Sequence, residues 1–231
     1  MGKLAVVFDV DDTLVSTTVA KARASERIAR YLQDLYGVRV DAGDFQRARH
    51  QVEGSVQYSE RRRESIEYVL RVTRIERRAK SPLSRDLLDL FLTESTRQLR
   101  VNESAARLLA AVVDGDHLAV SSTNGDAETV RRLDLPLVAA FTATELDSAK
   151  PERDHFAQVA RRLRCPSVKV FSVGNSVRYD GLPALAAGYA AALIGEWSAG
   201  GHSLRFVGEG AAALREVLGE ALRRSTSSPS A

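Results

Sequence analysis

A short apolar run, Leu4-Ala5-Val6-Val7-Phe8, gives way at once to Asp9-Val10-Asp11-Asp12-Thr13-Leu14. An unbroken apolar run of this length, with β-branched residues in it, predicts a strand buried on both faces. Such strands belong to parallel sheets, which present polar groups to a crevice at their carboxyl ends. Asp9, Asp11 and Asp12 at that end repel one another unless a cation relieves them. The block is therefore a candidate site, and an ordinary polar loop is the plain alternative.

Residues 17–100 read almost wholly as helix. Ile28, Tyr31, Leu32 and Leu35 make an apolar stripe that Gly37 is placed to end. A weaker segment runs from Gly43 to His50. The next helix carries Ile66, Val69 and Leu70 on one side and Tyr68, Val72 and Ile75 on the other, with Arg71, Arg74 and Arg78 between them. That pattern predicts a sandwiched helix with one basic edge. Ser81-Pro82 breaks the run, and Leu87, Leu88, Phe91 and Leu92 begin another stripe.

From Val101 onward the texture alternates. Asn102 caps a helix bearing Leu108, Leu109 and Val112, and Asp114-Gly115-Asp116 turns the chain. Strands are expected at 118–120, 137–141, 168–173, 190–194 and 204–207. Helices are expected around 126–133, after Lys150-Pro151 with Pro151 in first position, at 182–187 ending at Gly188, and over 211–223. The tail 225–231 is rich in Ser and Pro and is expected to be disordered. Strands alternating with helices imply a parallel sheet covered on both faces.

The chain of 231 residues, 44% apolar and 27% charged, has the composition of a water-soluble globular protein with room for a core and a smaller second unit. No apolar stretch is long enough to cross a bilayer, and acids interrupt the N-terminal apolar run where a signal peptide would continue. Cys165 is the only cysteine, which excludes an internal disulfide and makes the cytoplasm the expected location. Residues 17–100 hold 18 Lys and Arg against 12 Asp and Glu, so the positive surplus lies in one internal segment. No aromatic platform or nucleic-acid motif goes with it, which leaves solvated Arg-rich helix faces and disfavours nucleic acid as a partner. His50, His117, His155 and His202 show no ligand spacing.

Three loops follow strands, at 9–13, 123–125 and 174–180, and Lys150 lies in a fourth. In a doubly wound sheet they converge on one crevice. Phosphoryl transfer requires a nucleophile, positive charge against the phosphate oxygens and a proton donor for the leaving oxygen. Asp9 can attack and form an aspartyl-phosphate, and Asp11 can protonate the leaving alkoxide and then activate water. Thr123 and Asn124, at a helix start, suit a phosphate oxygen through hydroxyl and backbone N–H groups. Lys150 suits the phosphate as a point charge. Mg²⁺ suits the oxygen donors Asp9 and Asp11, with Asn175 and Asp180 completing its shell.

Asp9-Val10-Asp11-Asp12-Thr13-Leu14 resembles the first motif of the haloacid dehalogenase-like (HAD) hydrolase superfamily. Val120 to Gly125 resembles the second motif with Thr123 at the hydroxyl position, Lys150-Pro151 the third, and Gly174 to Asp180 the fourth; 183–188 continues the likeness. The helical insert resembles the cap of the phosphoglycolate phosphatase-like branch. The resemblance implies an α/β fold, a Rossmann-like three-layer core over 1–16 and 101–224, with an inserted α-helical cap over 17–100. It implies a Mg²⁺-dependent phosphatase acting on a small phosphorylated metabolite. The fourth motif usually begins Gly-Asp, and here Asn175 stands at the acid's position, which lowers the charge available to a metal. Tyr179 also replaces the more frequent small polar residue before Asp180. A phosphomutase would share the whole constellation, and a phospholigand-binding protein is compatible with Asn175. A 2-haloacid dehalogenase would need neither Asp11 nor Mg²⁺. Substrate identity and oligomeric state stay open.

Overall fold

A computed structural model of the protein describes residues 4–52, 61–75, 83–125, 130, 133–164, 170–194 and 204–207. Cys165, Arg78, Ser81-Pro82, Trp197, His202, most of the helix expected at 126–133 and everything after 207 lie outside the described residues.

The chain divides into two compact units, one of residues 1–15 and 101–231 and one of residues 16–100. In the first, strands β1 (Ala5–Phe8), β2 (Leu118–Thr123), β3 (Ala139–Thr142), β4 (Val170–Gly174), β5 (Ala190–Ile194) and β6 (Leu204–Val207) form one sheet in the order β3-β2-β1-β4-β5-β6. The first five run parallel, as the alternation predicts, and β6 lies antiparallel to β5. A parallel strand there would need a crossover, whereas an antiparallel one needs only a return loop.

Between the strands lie α5 (Glu103–Asp114), α6 (Ala143–Leu146), α7 (Arg153–Leu163) and α8 (Leu182–Ala186), the last preceded by a π-helical turn at Val177–Gly181. Asn102 caps α5 as expected, its side-chain oxygen accepting the Ala105 N–H at 2.9 Å. Pro151 does not open α7; Glu152 is the residue before that helix, and Pro151 stays in the loop. On one side of the sheet Val7, Val120, Val170 and Ala191 pack with Phe156, Val159 and Tyr189 from α7 and the α8–β5 connection.

Strand β1 is central in position and origin. Phe8 pairs with Ser121 of β2 on one side and with Val173 of β4 on the other. The chain runs from β1 to β2 and β3 in one direction and then returns past β1 to β4. This reversal leaves a crevice at the carboxyl ends of β1, β2 and β4.

The second unit holds α1 (Thr17–Tyr36), α2 (Ala42–Val52), α3 (Arg61–Val72) and α4 (Leu83–Gln98). Helix α1 packs on α4, and α3 on α2 and α4. Gly37 ends α1 as predicted, at φ 65°, and its N–H reaches the Gln33 carbonyl. The buried stripe of α1 is not the expected one. Ala20, Ala24, Ile28 and Leu32 face inward, while Tyr31 and Leu35 are 37% and 58% exposed. Small Ala side chains let the helices approach closely, a role that a search for bulky residues overlooks. The segment at 43–50 is a full helix, started by Asp41 and Asp44, each of which accepts the other's backbone N–H. Helix α3 buries one face, through Ile66, Val69 and Leu70; Val72 is 59% exposed, and Ile75 is buried beyond the helix end. Helix α3 thus lies between α2 and α4 as expected, with Tyr68 half-buried against the core and Val72 the member of the second stripe that faces out.

No helix among the described residues is long and apolar enough to cross a membrane.

Candidate active site

The loop after β1 is a tight knot around one carbonyl. The N–H groups of Thr13, Leu14 and Val15 all point at the Val10 oxygen, and the Asp12 N–H donates to Val15 O at 2.7 Å. Val10, Leu14 and Val15 are buried, which anchors the loop by its apolar residues. Asp12 takes the left-handed conformation that Asp tolerates, at φ 58°. The Asp9 N–H continues the sheet onto Val173 O at 2.7 Å, which fixes the start of the loop against β4.

Asp9 is buried, and both its oxygens are engaged. Thr13 Oγ1 donates to Oδ2 at 2.9 Å, and Lys150 Nζ donates to Oδ1 at 2.5 Å. The same ammonium donates to Asp180 Oδ1 at 2.7 Å and to the Ser122 carbonyl at 3.1 Å. Residues 141 and 30 positions from Lys150 in sequence thus meet on one nitrogen. Burial, then the Asp180 charge, push the Asp9 carboxyl up to about 7, against the pull of Lys150. Burial lowers the Lys150 pKa, but the Asp9 and Asp180 carboxylates outweigh it and raise the value above the ordinary one, so Lys150 stays an ammonium.

Asp180 reaches this position because residue 174 has no side chain. A Cβ on Gly174 would sit 2.3 Å from Asp180 Cγ, inside any allowed contact. Ser176 N–H holds the other carboxylate oxygen at 3.1 Å, and Ser176 Oγ accepts the Tyr179 N–H. With one oxygen on Lys150 and one on this amide, Asp180 is the partner of Lys150.

Asp11 and Thr123 come together across the loops: a Cβ on Gly125 would lie 3.2 Å from Thr123 Oγ1 and 3.6 Å from Asp11 Oδ2. Thr123 is buried, and its oxygen accepts the Gly125 N–H at 2.8 Å, a bond that leaves its own O–H proton unspent. The side chain of Asn124, whose backbone N–H was expected on the phosphate, is bonded to residue 150. Its Oδ1 accepts the Lys150 N–H at 2.8 Å, and its Nδ2 donates to the Lys150 carbonyl at 2.7 Å. Asn175 is exposed, immediately after β4.

Mg²⁺ takes oxygen ligands, keeps several waters and commonly uses one or two carboxylates with a substrate phosphate. Among the described residues no three Asp, Glu, His or Cys side chains are close enough to hold a metal by themselves. The residues expected to hold it, Asp9, Asp11 and Asp180 with the Asn175 carbonyl, offer oxygen donors of the kind Mg²⁺ takes, and such donors fit the ion.

Three residues were not predicted for the site. Thr13 holds Asp9, and the Asp-x-Asp-x-Thr spacing was the available signal. Ser122 and His155 hold each other in the interior, with Ser122 Oγ 2.6 Å from His155 Nε2. His155 Nδ1 lies 2.7 Å from the Ser148 carbonyl. Burial pushes the His155 pKa down to about 4 despite that bond, and the nearby Lys150 charge adds to the lowering. Nothing in the local sequence marks this pairing.

No curated protein matches the chain in sequence. Among solved structures, a 2-haloacid dehalogenase from Pseudomonas syringae pv. Tomato DC3000 superposes with a TM-score of 0.64 at 22% identity, over 82% of this chain and 85% of that one. A HAD phosphatase from Thermococcus onnurineus gives 0.62 at 17% identity, over 94% and 98%. The HAD-hydrolase YfnB from Bacillus subtilis, solved bound to magnesium, gives 0.61 at 18% identity, over 82% and 88%. At these identities the likeness is one of fold. The family model of the haloacid dehalogenase-like hydrolases matches residues 4–188, which contain all four loops of the site, and the chain therefore belongs to that family of enzymes.

Proposed function

We propose that the protein is a Mg²⁺-dependent phosphatase that hydrolyses a small phosphorylated metabolite through an aspartyl-phosphate on Asp9. The observation that carries this reading is Asp11, a second carboxylate two residues past Asp9 and beside Thr123. Displacement at a carbon bearing halogen requires no proton donor, whereas expulsion of an alkoxide from phosphorus does.

Asp9 attacks phosphorus with a carboxylate lone pair, forming an O–P bond as the bond to the leaving oxygen breaks. Lys150 and the Thr13 hydroxyl orient that carboxylate, and the Lys150 charge favours its ionised form. Asp11 gives its proton to the leaving alkoxide. It then takes a proton from water, whose oxygen attacks phosphorus, releases inorganic phosphate and restores Asp9. The Thr123 O–H donates to a phosphate oxygen. Asp9, Asp11, Asn175 and Asp180 would hold Mg²⁺, which would neutralise charge on the phosphate oxygens. Asp180 keeps Lys150 charged and in place. The positive surplus of residues 17–100 suits attraction of anionic substrates.

A panel of phosphorylated metabolites with Mg²⁺ or EDTA tests the proposal. Wild type should release phosphate only with Mg²⁺, and Asp9→Asn should lose about four orders of magnitude or more in kcat, as removal of a nucleophile does. EDTA-insensitive halide release from a 2-haloacid would overturn the reading. Transfer to a sugar acceptor in preference to water would assign a mutase instead.

A further inference from the structure

Lys150 spends all three ammonium protons, on Asp9, Asp180 and the Ser122 carbonyl. A lysine side chain carries about 2 kcal/mol of rotamer entropy, so directing one at three acceptors requires a fixed backbone beneath it. Residue 150 has neither helix nor strand to fix it, since it lies in the loop between α6 and α7.

Two side chains take over that task. The Asn124 amide closes a ring with residue 150, accepting its N–H at 2.8 Å and donating to its carbonyl at 2.7 Å, much as a neighbouring strand would. His155 holds the chain two residues earlier. The Ser148 carbonyl can only accept, so Nδ1 carries the hydrogen and donates to it. The other nitrogen is then an acceptor and takes the Ser122 hydroxyl proton. Since the Ser122 carbonyl receives Lys150 Nζ, a closed circuit runs from Ser122 through His155, Ser148 and Lys150 back to Ser122. Ser122, Ser148, Lys150 and His155 are all buried, so water does not replace a lost member.

We propose that Asn124 and His155 are positioning residues that aim the Lys150 ammonium at Asp9 and so set the attack geometry, without touching the reacting atoms themselves. The kinetic part of this rests on the phosphatase reading; the geometric part does not. The low pKa of His155 agrees with the neutral ring that the circuit requires.

The test separates the two. The Lys150 ammonium, shielded and bound to three acceptors, exchanges slowly with water and gives its own signal in ¹H–¹⁵N spectra of ¹⁵N-labelled protein, assigned by its loss in Lys150→Arg. Asn124→Ala removes the amide clamp. His155→Phe keeps the ring's volume but removes both hydrogen bonds, and His155→Gln offers an amide donor and acceptor in their place. Asn124→Ala and His155→Phe should broaden or erase the ammonium signal and lower kcat for p-nitrophenyl phosphate by about ten- to a hundredfold, with KM within about twofold. His155→Gln should restore both. An unchanged signal in folded Asn124→Ala or His155→Phe overturns the proposal, as does its absence from wild type or a His155→Gln protein no better than His155→Phe. If one variant does not fold, the other decides. Should wild type not hydrolyse any phosphate ester, the phosphatase reading fails and the ammonium signal alone judges the circuit.

Discussion

In the helical unit, residues 16–100, the buried polar side chains among the described residues are Thr17, Ser25 and Ser65. Ser25 and Ser65 return their hydroxyls to carbonyls four residues back, on Lys21 and Arg61, and need nothing from elsewhere in the unit. Its interior is otherwise Ile28, Leu32, Phe45, Ile66, Leu87 and their neighbours. In the sheet unit the buried set includes Asp9, Lys150, His155 and Asp180, each of which bonds at least one residue distant in sequence. A buried ion pair is a poor way to gain stability, because desolvation offsets most of the attraction. The helical interior fits the demands of folding alone. The sheet unit keeps charges that folding would be better without, and they cluster at the carboxyl edge, where chemistry can use them.

The contrast is broken most directly by Lys150→Met. Removing the ammonium leaves Asp9 and Asp180 buried side by side, and the expected loss is about 3–5 kcal/mol in urea unfolding. Adding Asp180→Asn should recover part of that loss; no recovery would mean that the charges are better screened than their burial implies. On the apolar side, Leu32→Ala should cost about 2–4 kcal/mol through the cavity it opens, while the sheet unit's Lys150 ammonium signal stays in place. Loss of that signal would show the units to be coupled.

Protons sharpen the same comparison. The folded state binds protons to His155 less readily than the unfolded chain, since the ring's pKa falls from 6.5 to about 4. This group's contribution is complete above about 6.5 and is lost as pH falls toward 4. Asp9 has the opposite sign: raised from 3.8 to about 7, it favours folding at low pH, and that contribution is lost as pH rises. The two oppose each other over one window. In metal-free buffer Asp9→Asn should therefore lose about 3 kcal/mol between pH 6.5 and 4, and wild type should lose less. Equal slopes would refute the assignment. The smallest expected effect is Asn102→Ala, below about 1 kcal/mol, because the lost cap is partly offset by removal of a buried Nδ2 that has no partner.

Much of this was legible in the residues. The apolar run before Asp9 located the central strand, and the topological rule brought Lys150 and Asp180 to it across long stretches of chain. Single-residue features also held, such as Gly37 and Asn102. What escaped was whatever depends on the partner and not on the pattern. Ala20 and Ala24 looked inert until a second helix lay against them. His155 had no motif, because its partners, Ser122 and Ser148, are defined only once β2 and the loop before α7 are adjacent. Asn124 was legible as an anion donor through its backbone N–H, while its side-chain bonds to residue 150 were not, because they join loops 26 residues apart. Asp180 was legible as the acid of its loop, and its bond to Lys150 was not, because that bond needs two loops 30 residues apart to lie together.

Gly174 shows how a hydrogen atom in place of a methyl group can govern a reaction centre. Because the strand end is bare at that position, the chain can fold its next acid back over its own backbone, six residues on. Alanine there would drive the carboxylate outward, and Lys150 would be left with a single counter-ion. The reach of one side chain is thus set by the size of another that was never built.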